Sequence, residues 1–436
     1  MRQAPIVVSA ASVPPDAHRL ERRARYALVL LFVIYAVNYL DRQLLSILME
    51  PIRKELHLSD TQLGFLSGLA FALFYATLGI PIARLADRFS RRNIIAISLA
   101  LWSLMTAFSG LSHSFFQILL ARIGVSVGEA GGTPPAHSLI SDYFAPARRG
   151  RAMAVYAVGT PIGILMGLAG GGWINQAFGW RPAFFIVGFP GVLIAILFFL
   201  TVHEPTRGAQ DGILSNQPLP STMDAFRYLW RLKTLRYLSL AVACHALNAY
   251  GIQQWNPSYL IRTFGIGTRE AGLDLGLIIG VAGTIGVLTG GIVTDWLGKH
   301  DLRWYIWIPA ISIAIAIPFY FAVFLSHSAS QALAFYLGPA LLSSLFTGPA
   351  FATVQALVPP RMRALAASVF LFIINIVGLG IGPQTIGILS DLLHHVAGVN
   401  SLRYALISVV FIEFASVFFF LRAARTIVAE THAARS

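Results

Sequence analysis

Apolar residues run along this chain in twelve blocks, and the polar residues between them gather into short connections. A helix needs about 20 apolar residues to cross a bilayer. Blocks of that kind centre on 26–49, 61–83, 93–112, 115–142, 151–176, 181–202, 236–263, 268–295, 304–326, 329–358, 364–392 and 401–422. The pattern predicts an all-α membrane protein with twelve transmembrane helices, here helix one to helix twelve in chain order. The longest connection contains Glu204, Pro205, Pro218 and Pro220 and ends in an amphipathic stretch from Met223 to Leu232. It falls between helices six and seven. The chain therefore divides into an N-terminal segment 1–25, a first six-helix bundle 26–203, a linker 204–235, a second bundle 236–423 and a tail 424–436.

Composition agrees: of 436 residues 56% are hydrophobic and 12% charged, with a mean hydropathy of +0.69. The net charge of +13 would suggest a nucleic-acid partner in a soluble protein. Here the basic residues fall into alternate connections, so no nucleic acid is expected. With the N-terminus in the cytoplasm, 24 Lys and Arg lie on that side and 6 on the other (Arg53, Lys54, Arg181, Arg262, Arg269, Arg403), with Arg42 and Arg122 inside helices. That bias predicts cytoplasmic termini and suits a bacterial inner membrane. Cys244 is the single cysteine, which excludes an internal disulfide and a cysteine-based metal site. The first block is longer than a signal-peptide core, so it reads as a retained helix.

Two pairs of charges interrupt the apolar blocks. Asn38-Tyr39-Leu40-Asp41-Arg42-Gln43 sits deep in helix one, and Arg122 and Glu129 sit in helix four. An ionised side chain near the bilayer centre costs at least about 2.5–3.5 kcal/mol on insertion scales, so these groups are expected to face protein or a wet cavity. Arg122 and Glu129, seven residues apart, share one helix face with about 10 Å between their Cα atoms. A carboxylate holds its proton more tightly when it loses water and less tightly beside a guanidinium, a competition that a proton-coupled carrier can exploit. Asp41 and Glu129 are thus expected to take up and release the proton in a shared, intermittently hydrated chamber. Arg42, with Arg122 and Asn38 nearby, is expected to hold an anionic headgroup, because a guanidinium meets phosphate or carboxylate bidentately. The alternative is a permanent ion pair that only holds two helices together.

The halves carry a weak internal repeat. Ala83-Arg84-Leu85-Ala86-Asp87-Arg88-Phe89-Ser90-Arg91-Arg92 follows helix two, and Gly291-Ile292-Val293-Thr294-Asp295-Trp296-Leu297-Gly298-Lys299 ends helix eight. Both fit a small-x-x-x-Asp-x-x-small-basic pattern, as a parallel repeat of two pseudo-symmetric bundles would produce. This pattern resembles the signature of the major facilitator superfamily, with Ala83 and Ser90 where glycines are usual. Asn38–Arg42, Leu58–Gly64, Leu85–Arg92 and Arg122–Ala130 are similar to the spinster branch of that family. The resemblance implies the major facilitator fold and alternating-access, proton-coupled transport of an amphiphile such as a lysophospholipid or sphingoid phosphate. It also suggests that Asp87, Arg88, Arg91 and Arg92, with Asp295 and Lys299, latch the outward-open state.

Helix five carries Gly159, Thr160, Pro161, Gly163, Gly167, Gly170, Gly171 and Gly172, and small residues at that spacing let helices approach closely. Thr133, Pro134 and Pro135 predict a kink in helix four. The second bundle offers mostly uncharged polar candidates for substrate contact: His245, Asn248 and Trp255 in helix seven and Asn375 in helix eleven. Glu413 in helix twelve stands between Phe411, Ile412 and Phe414, and the sequence leaves open whether it faces protein or headgroups. Charges in one half and neutral polar or aromatic residues in the other suit an amphiphile. A small organic anion or an exported drug remains the competing cargo. No cofactor, metal or catalytic residue is expected, because the histidines assemble no nucleophile–base pair. Protons, membrane lipids and the substrate are the expected partners, and the chain is expected to be a monomer.

Overall fold

The computed structural model describes residues 15–207, 222–359 and 362–433. Within them the twelve apolar blocks are helices, joined by short turns. Helix one runs over Pro15–Leu56, well beyond its apolar block, because the basic lead-in is also helical and Arg25 reaches back one turn to Glu21 at 2.8 Å. By length and apolarity alone, nine stretches of the described residues qualify as membrane crossings, and the last, Leu365–Ala424, holds both helix eleven and helix twelve. Helices four and seven miss that test for different reasons. Helix four is broken between Phe115–Glu129 and Thr133–Tyr143, with Pro134 in the first turn of the second piece. Helix seven, Lys233–Phe264, carries His245, Asn248, Gln253, Gln254 and Asn256 along its length. The linker contains the helix Thr222–Arg231, whereas Pro218 and Pro220 lie outside the described residues.

Helices two, five, eight and eleven each contain one π-helical turn, at Phe65–Leu69, Met166–Gly170, Ile278–Ala282 and Ile374–Ile381. Such turns insert a residue and bend the axis. These four helices also pack across the bundle boundary, two against eleven and five against eight, as helix one does against helix seven. A Cβ built on Gly64 would stand 2.7 Å from the Pro383 carbonyl oxygen, and one on Gly68 2.6 Å from that of Gly380. Glycine is therefore required at these crossings.

One end of the molecule carries Glu21, Glu204 and Glu430, and is called here the linker end; the other is the far end. An apolar cluster lies in each bundle toward the linker end, around Trp102 in the first and Phe370 in the second. A third, with Leu48, Leu63, Trp255, Leu260 and Ile386, spans both bundles toward the far end. Large apolar side chains such as Ile97, Leu193, Leu200, Leu288 and Ile292 stay exposed on the outside, where lipid rather than water meets them.

Helix five positions helix one. Its glycines pack successively on Phe32, Ala36, Leu40 and Leu44, and a Cβ on Gly167 would come 2.6 Å from the Leu40 carbonyl oxygen and 2.8 Å from the Gln43 Cβ. Gly167→Leu is expected to destabilise the fold by about 1–3 kcal/mol, the usual cost of overpacking. Gly170→Ala, with nothing within 4 Å of the added Cβ, is expected to leave stability unchanged. Thermal unfolding of both variants in detergent checks the pair.

Candidate functional site

The four expected charges of the first bundle form one group. Arg42 Nε donates to Glu129 Oε2 at 2.7 Å, joining helices one and four. Thr106 of helix three donates to Asp41 Oδ2 at 3.2 Å. The guanidiniums of Arg42 and Arg122 both lie on the Phe71 ring of helix two, at 5.0 and 5.1 Å from its centroid. Asp41 feels the charges of both Glu129 and Arg122. Helix four breaks immediately after Glu129, so the carboxylate stands at the last full turn before the kink.

The group is closed to solvent in this conformation. Asp41 and Glu129 are each 1% exposed, whereas the Arg42 side chain keeps 15%. The expected hydrated chamber is thus shut around the carboxylates, with Phe71 against both guanidiniums. A void of about 10 Å³ lies nearby, lined among others by Tyr35, Asn38, Trp102, Thr133 and Tyr156 but by none of the four charged residues. Pairing inside the group is incomplete: Asp41 Oδ1, Glu129 Oε1 and Arg122 Nε have no hydrogen-bond partner. Unsatisfied buried polar atoms of this kind cost free energy. Arg42 alone reaches outward. Its guanidinium is 5.4 Å from the Tyr39 ring and 4.8 Å from the Tyr75 ring, and Tyr250 of helix seven faces the same cage.

The second bundle supplies less of the expected contact surface. Trp255 is wholly buried and its ring N–H donates to the Pro383 carbonyl at 2.8 Å, so it braces helix seven on helix eleven and offers nothing to a ligand here. His245 and Asn248 are equally enclosed, and both bind Glu413. Glu413 therefore faces protein. Asn375 is half-buried and lies in the π-helical turn of helix eleven.

Among the described residues, the expected latch residues show no contact that bridges the bundles in this conformation. Arg91 is held entirely within the first bundle, by Asp142, by Ser138 and by Glu204 at 2.7 Å. Burial alone would raise the Glu204 carboxyl, yet the Arg92 backbone N–H, the Arg91 guanidinium and the Ser90 hydroxyl outweigh it and hold it below the usual carboxylate range. Arg92 lies over Phe199, and Arg88 is exposed. In the second bundle Asp295 accepts from Tyr305 at 2.9 Å, and Lys299 is exposed. The Asp87 side chain lies outside the described residues.

A closure that sequence reasoning missed sits at the far end. Arg262 of helix seven makes a two-pronged contact with Asp60 at the start of helix two, both bonds 2.7 Å, and a third with Glu50 of helix one at 2.5 Å. Asp391 of helix eleven accepts the backbone N–H groups of Asp60 and Thr61 at 3.1 and 2.8 Å, capping helix two across the bundle boundary. Ser390 adds a 2.6 Å bond to Asp60. Ser46 to the Gln254 carbonyl at 2.8 Å and Asn175 to Thr268 at 3.0 Å also join the bundles toward this far end. The signal was present in the sequence only as isolated charges at the tips of blocks.

Two bundles, matched π-turns and a buried ion group at their centre narrow the family, and residues 31–383 match the Major Facilitator Superfamily. The chain belongs to that superfamily. It is 34% identical over 394 residues to an MFS-type efflux pump of Mycolicibacterium smegmatis, covering 89% of this chain and 90% of that protein. It is 31% identical over 304 residues to a probable L-galactonate transporter of Escherichia coli, covering 66% and 67%. Among solved structures it is similar to a bacterial homolog of the human lysosomal transporter Spinster in an inward-facing, unoccupied conformation, at 30% identity and a TM-score of 0.83, over 96% of this chain and 99% of that one. As a major facilitator protein with that neighbour, the chain is a membrane transporter rather than an enzyme.

Proposed function

We propose that this transporter works by alternating access and carries an amphiphilic anionic or zwitterionic lipid-like molecule, of the lysophospholipid or sphingoid phosphate type, coupled to protons. The observation that carries the reading is Arg42: a guanidinium with one face on aromatic rings, one bond to Glu129 and part of its surface free. A headgroup phosphate or carboxylate competes with Glu129 for that fork, and protonating Glu129 hands the guanidinium over. The rings of Tyr39 and Tyr75 then flank the first methylenes of the chain. Asp41 is the second proton carrier, and Asn38, Arg122 and Asn375 complete the polar lining. A cargo of this class is what the spinster-like motifs Asn38–Arg42, Leu58–Gly64, Leu85–Arg92 and Arg122–Ala130 imply.

The Lys and Arg distribution supports cytoplasmic termini in a bacterial inner membrane. On that orientation the far end is the outer one, its closure makes this the inward-facing state, and the Asp87 and Asp295 segments are free to latch in the opposite state. The protein acts as a monomer. A second reading, export of a drug or uptake of a sugar acid, is favoured by the named relatives. Binding to purified protein tests the choice. Lysophosphatidate is expected to bind, and Arg42→Ala to weaken it by at least about tenfold, the worth of one charge-assisted hydrogen bond. Binding of galactonate with no response to lysophosphatidate would transfer the assignment to the second reading.

A further inference from the structure

The second bundle holds a buried titratable group of its own. His245 of helix seven and Glu413 of helix twelve are both 0% exposed. His245 Nδ1 lies 2.9 Å from Glu413 Oε1 and 3.2 Å from Oε2, while Nε2 lies 3.0 Å from the Ser343 carbonyl of helix ten. Asn248 donates to Glu413 Oε1 at 2.7 Å, and the Phe346 ring meets the imidazole edge-on at 4.7 Å.

The chemistry of the partners fixes how many protons this arrangement holds. A carbonyl only accepts, so Nε2 carries a hydrogen. Nδ1 faces a carboxylate, and one further proton shared between them satisfies both, as imidazolium with carboxylate or as imidazole with carboxylic acid. Either form is neutral as a pair. Without that proton the Nδ1 lone pair confronts a carboxylate in a place with no solvent contact, which is unfavourable. The other ionisable groups near Glu413 are the Cys244 thiol of helix seven and the Tyr320 hydroxyl of helix nine, which bonds Ser343 Oγ at 3.1 Å and has Tyr336 of helix ten beside it. None of these is a cation. Among the described residues no lysine or arginine pairs with Glu413, so the positive charge it meets is the proton itself.

The pair is also seated where two helices are interrupted. Helix ten stops at Leu342 and resumes at Thr347, with the tightened bonds Ser344 N to Leu341 O and Leu345 N to Leu342 O, both 3.3 Å. Helix twelve stops at Val410 and resumes at Ile412, with Phe411 N to Ser408 O and Phe414 N to Phe411 O, both 3.3 Å. His245 ties the first interruption and Glu413 flanks the second.

We propose that His245 and Glu413 form a second proton-binding site, occluded in this conformation and opened to solvent when helices ten and twelve bend at their interruptions. This deepens the proton-coupled reading of the first bundle and rests on it for its role in transport, but it is measured without transport. Nitrogen-15 NMR of histidine-labelled full-length protein in lipid nanodiscs reads the imidazoles directly, and His245→Gln assigns the signal. The expected result is one imidazole with a shared Nδ1 proton that persists through the pH range where free histidine loses its charge and exchanges slowly with deuterated solvent. Glu413→Gln is expected to lower the proton affinity of His245 at least about tenfold, since the anionic partner is gone. Arg262→Ala, which shifts the bundles, is expected to change the deuterium exchange rate of that site at least about tenfold, because exchange follows the exposed population. A His245 signal that titrates like a free imidazole overturns the proposal, as does one unmoved by Glu413→Gln. If Glu413→Gln does not fold, the wild-type signal and its exchange still decide. Loss of coupling at Glu129 with an intact His245 signal would separate the two readings.

Discussion

Glu129→Gln is expected to remove proton-driven uptake, leaving only equilibration of substrate down its own gradient. The side chain is 1% exposed and supplies the carboxylate bonded to Arg42. Glutamine keeps the shape and one acceptor oxygen but has no titratable proton at that position. It also leaves Arg42 without its bonded counter-ion, and breaking a buried pair on one side costs about 3–5 kcal/mol. Part of that cost is recovered because Arg42 is 15% exposed and leans on three rings. Substrate binding by the freed guanidinium is therefore expected to persist or strengthen while coupling disappears. Uptake into proteoliposomes with and without an imposed pH gradient separates these effects. Undiminished gradient dependence in the variant would show that the Arg42–Glu129 bond is only a strut.

The second large effect is expected at the opposite end of the ionic map. Arg262→Ala should release the far end and shift the protein toward the conformation open there. Arg262 is the common partner of Asp60 and Glu50, and Asp391 stands on the far side of Asp60, holding the backbone of helix two. Without the Arg262 guanidinium, Asp60 and Asp391 lose the cation between helices two and seven, and Arg53, bonded to Glu50 at 2.9 Å, is left to offset the three carboxylates of this corner. Two like charges about 4 Å apart repel by about 4 kcal/mol at an effective dielectric of about 20. An equilibrium moves tenfold for about 1.4 kcal/mol, so a shift of at least about tenfold is expected. A cysteine placed at Thr61 in a Cys244→Ser background should label correspondingly faster from the far side. Arg262→Lys should give a smaller shift, because charge is retained but the two-pronged contact with Asp60 is lost. Equal labelling in all three proteins would mean that apolar packing alone, such as Gly64 on Pro383, holds this end shut.

The helices and the first-bundle ion group were legible because the bilayer imposes a strict rule on both. Twenty apolar residues announce a crossing, and Asp41, Arg42, Arg122 and Glu129 violate that rule inside crossings. Glu413 violates it too, but its partners lie 168 and 165 residues away, and no local pattern links helix seven to helix twelve. Arg262 escaped notice for the opposite reason. At the end of a block an arginine is what topology already predicts, so its contact with Asp60 across 202 residues left no separate trace. Trp255 looked like a surface for a substrate because aromatic residues often are. Only the packing of helix seven on helix eleven shows its ring N–H already committed to Pro383. The π-turns were illegible, since an extra residue in a helix leaves the apolar pattern nearly unchanged over one turn.

Those widened turns affect how cargo can be enclosed. Helices two, five, eight and eleven each have a built-in flexure point, so a mouth is expected to shut by bending helix tips as well as by rocking whole bundles. A carrier assembled from stiff rods must open one side as it closes the other. With a joint in each of these helices, a sealed intermediate, closed at both membrane faces around its passenger, is the expected consequence.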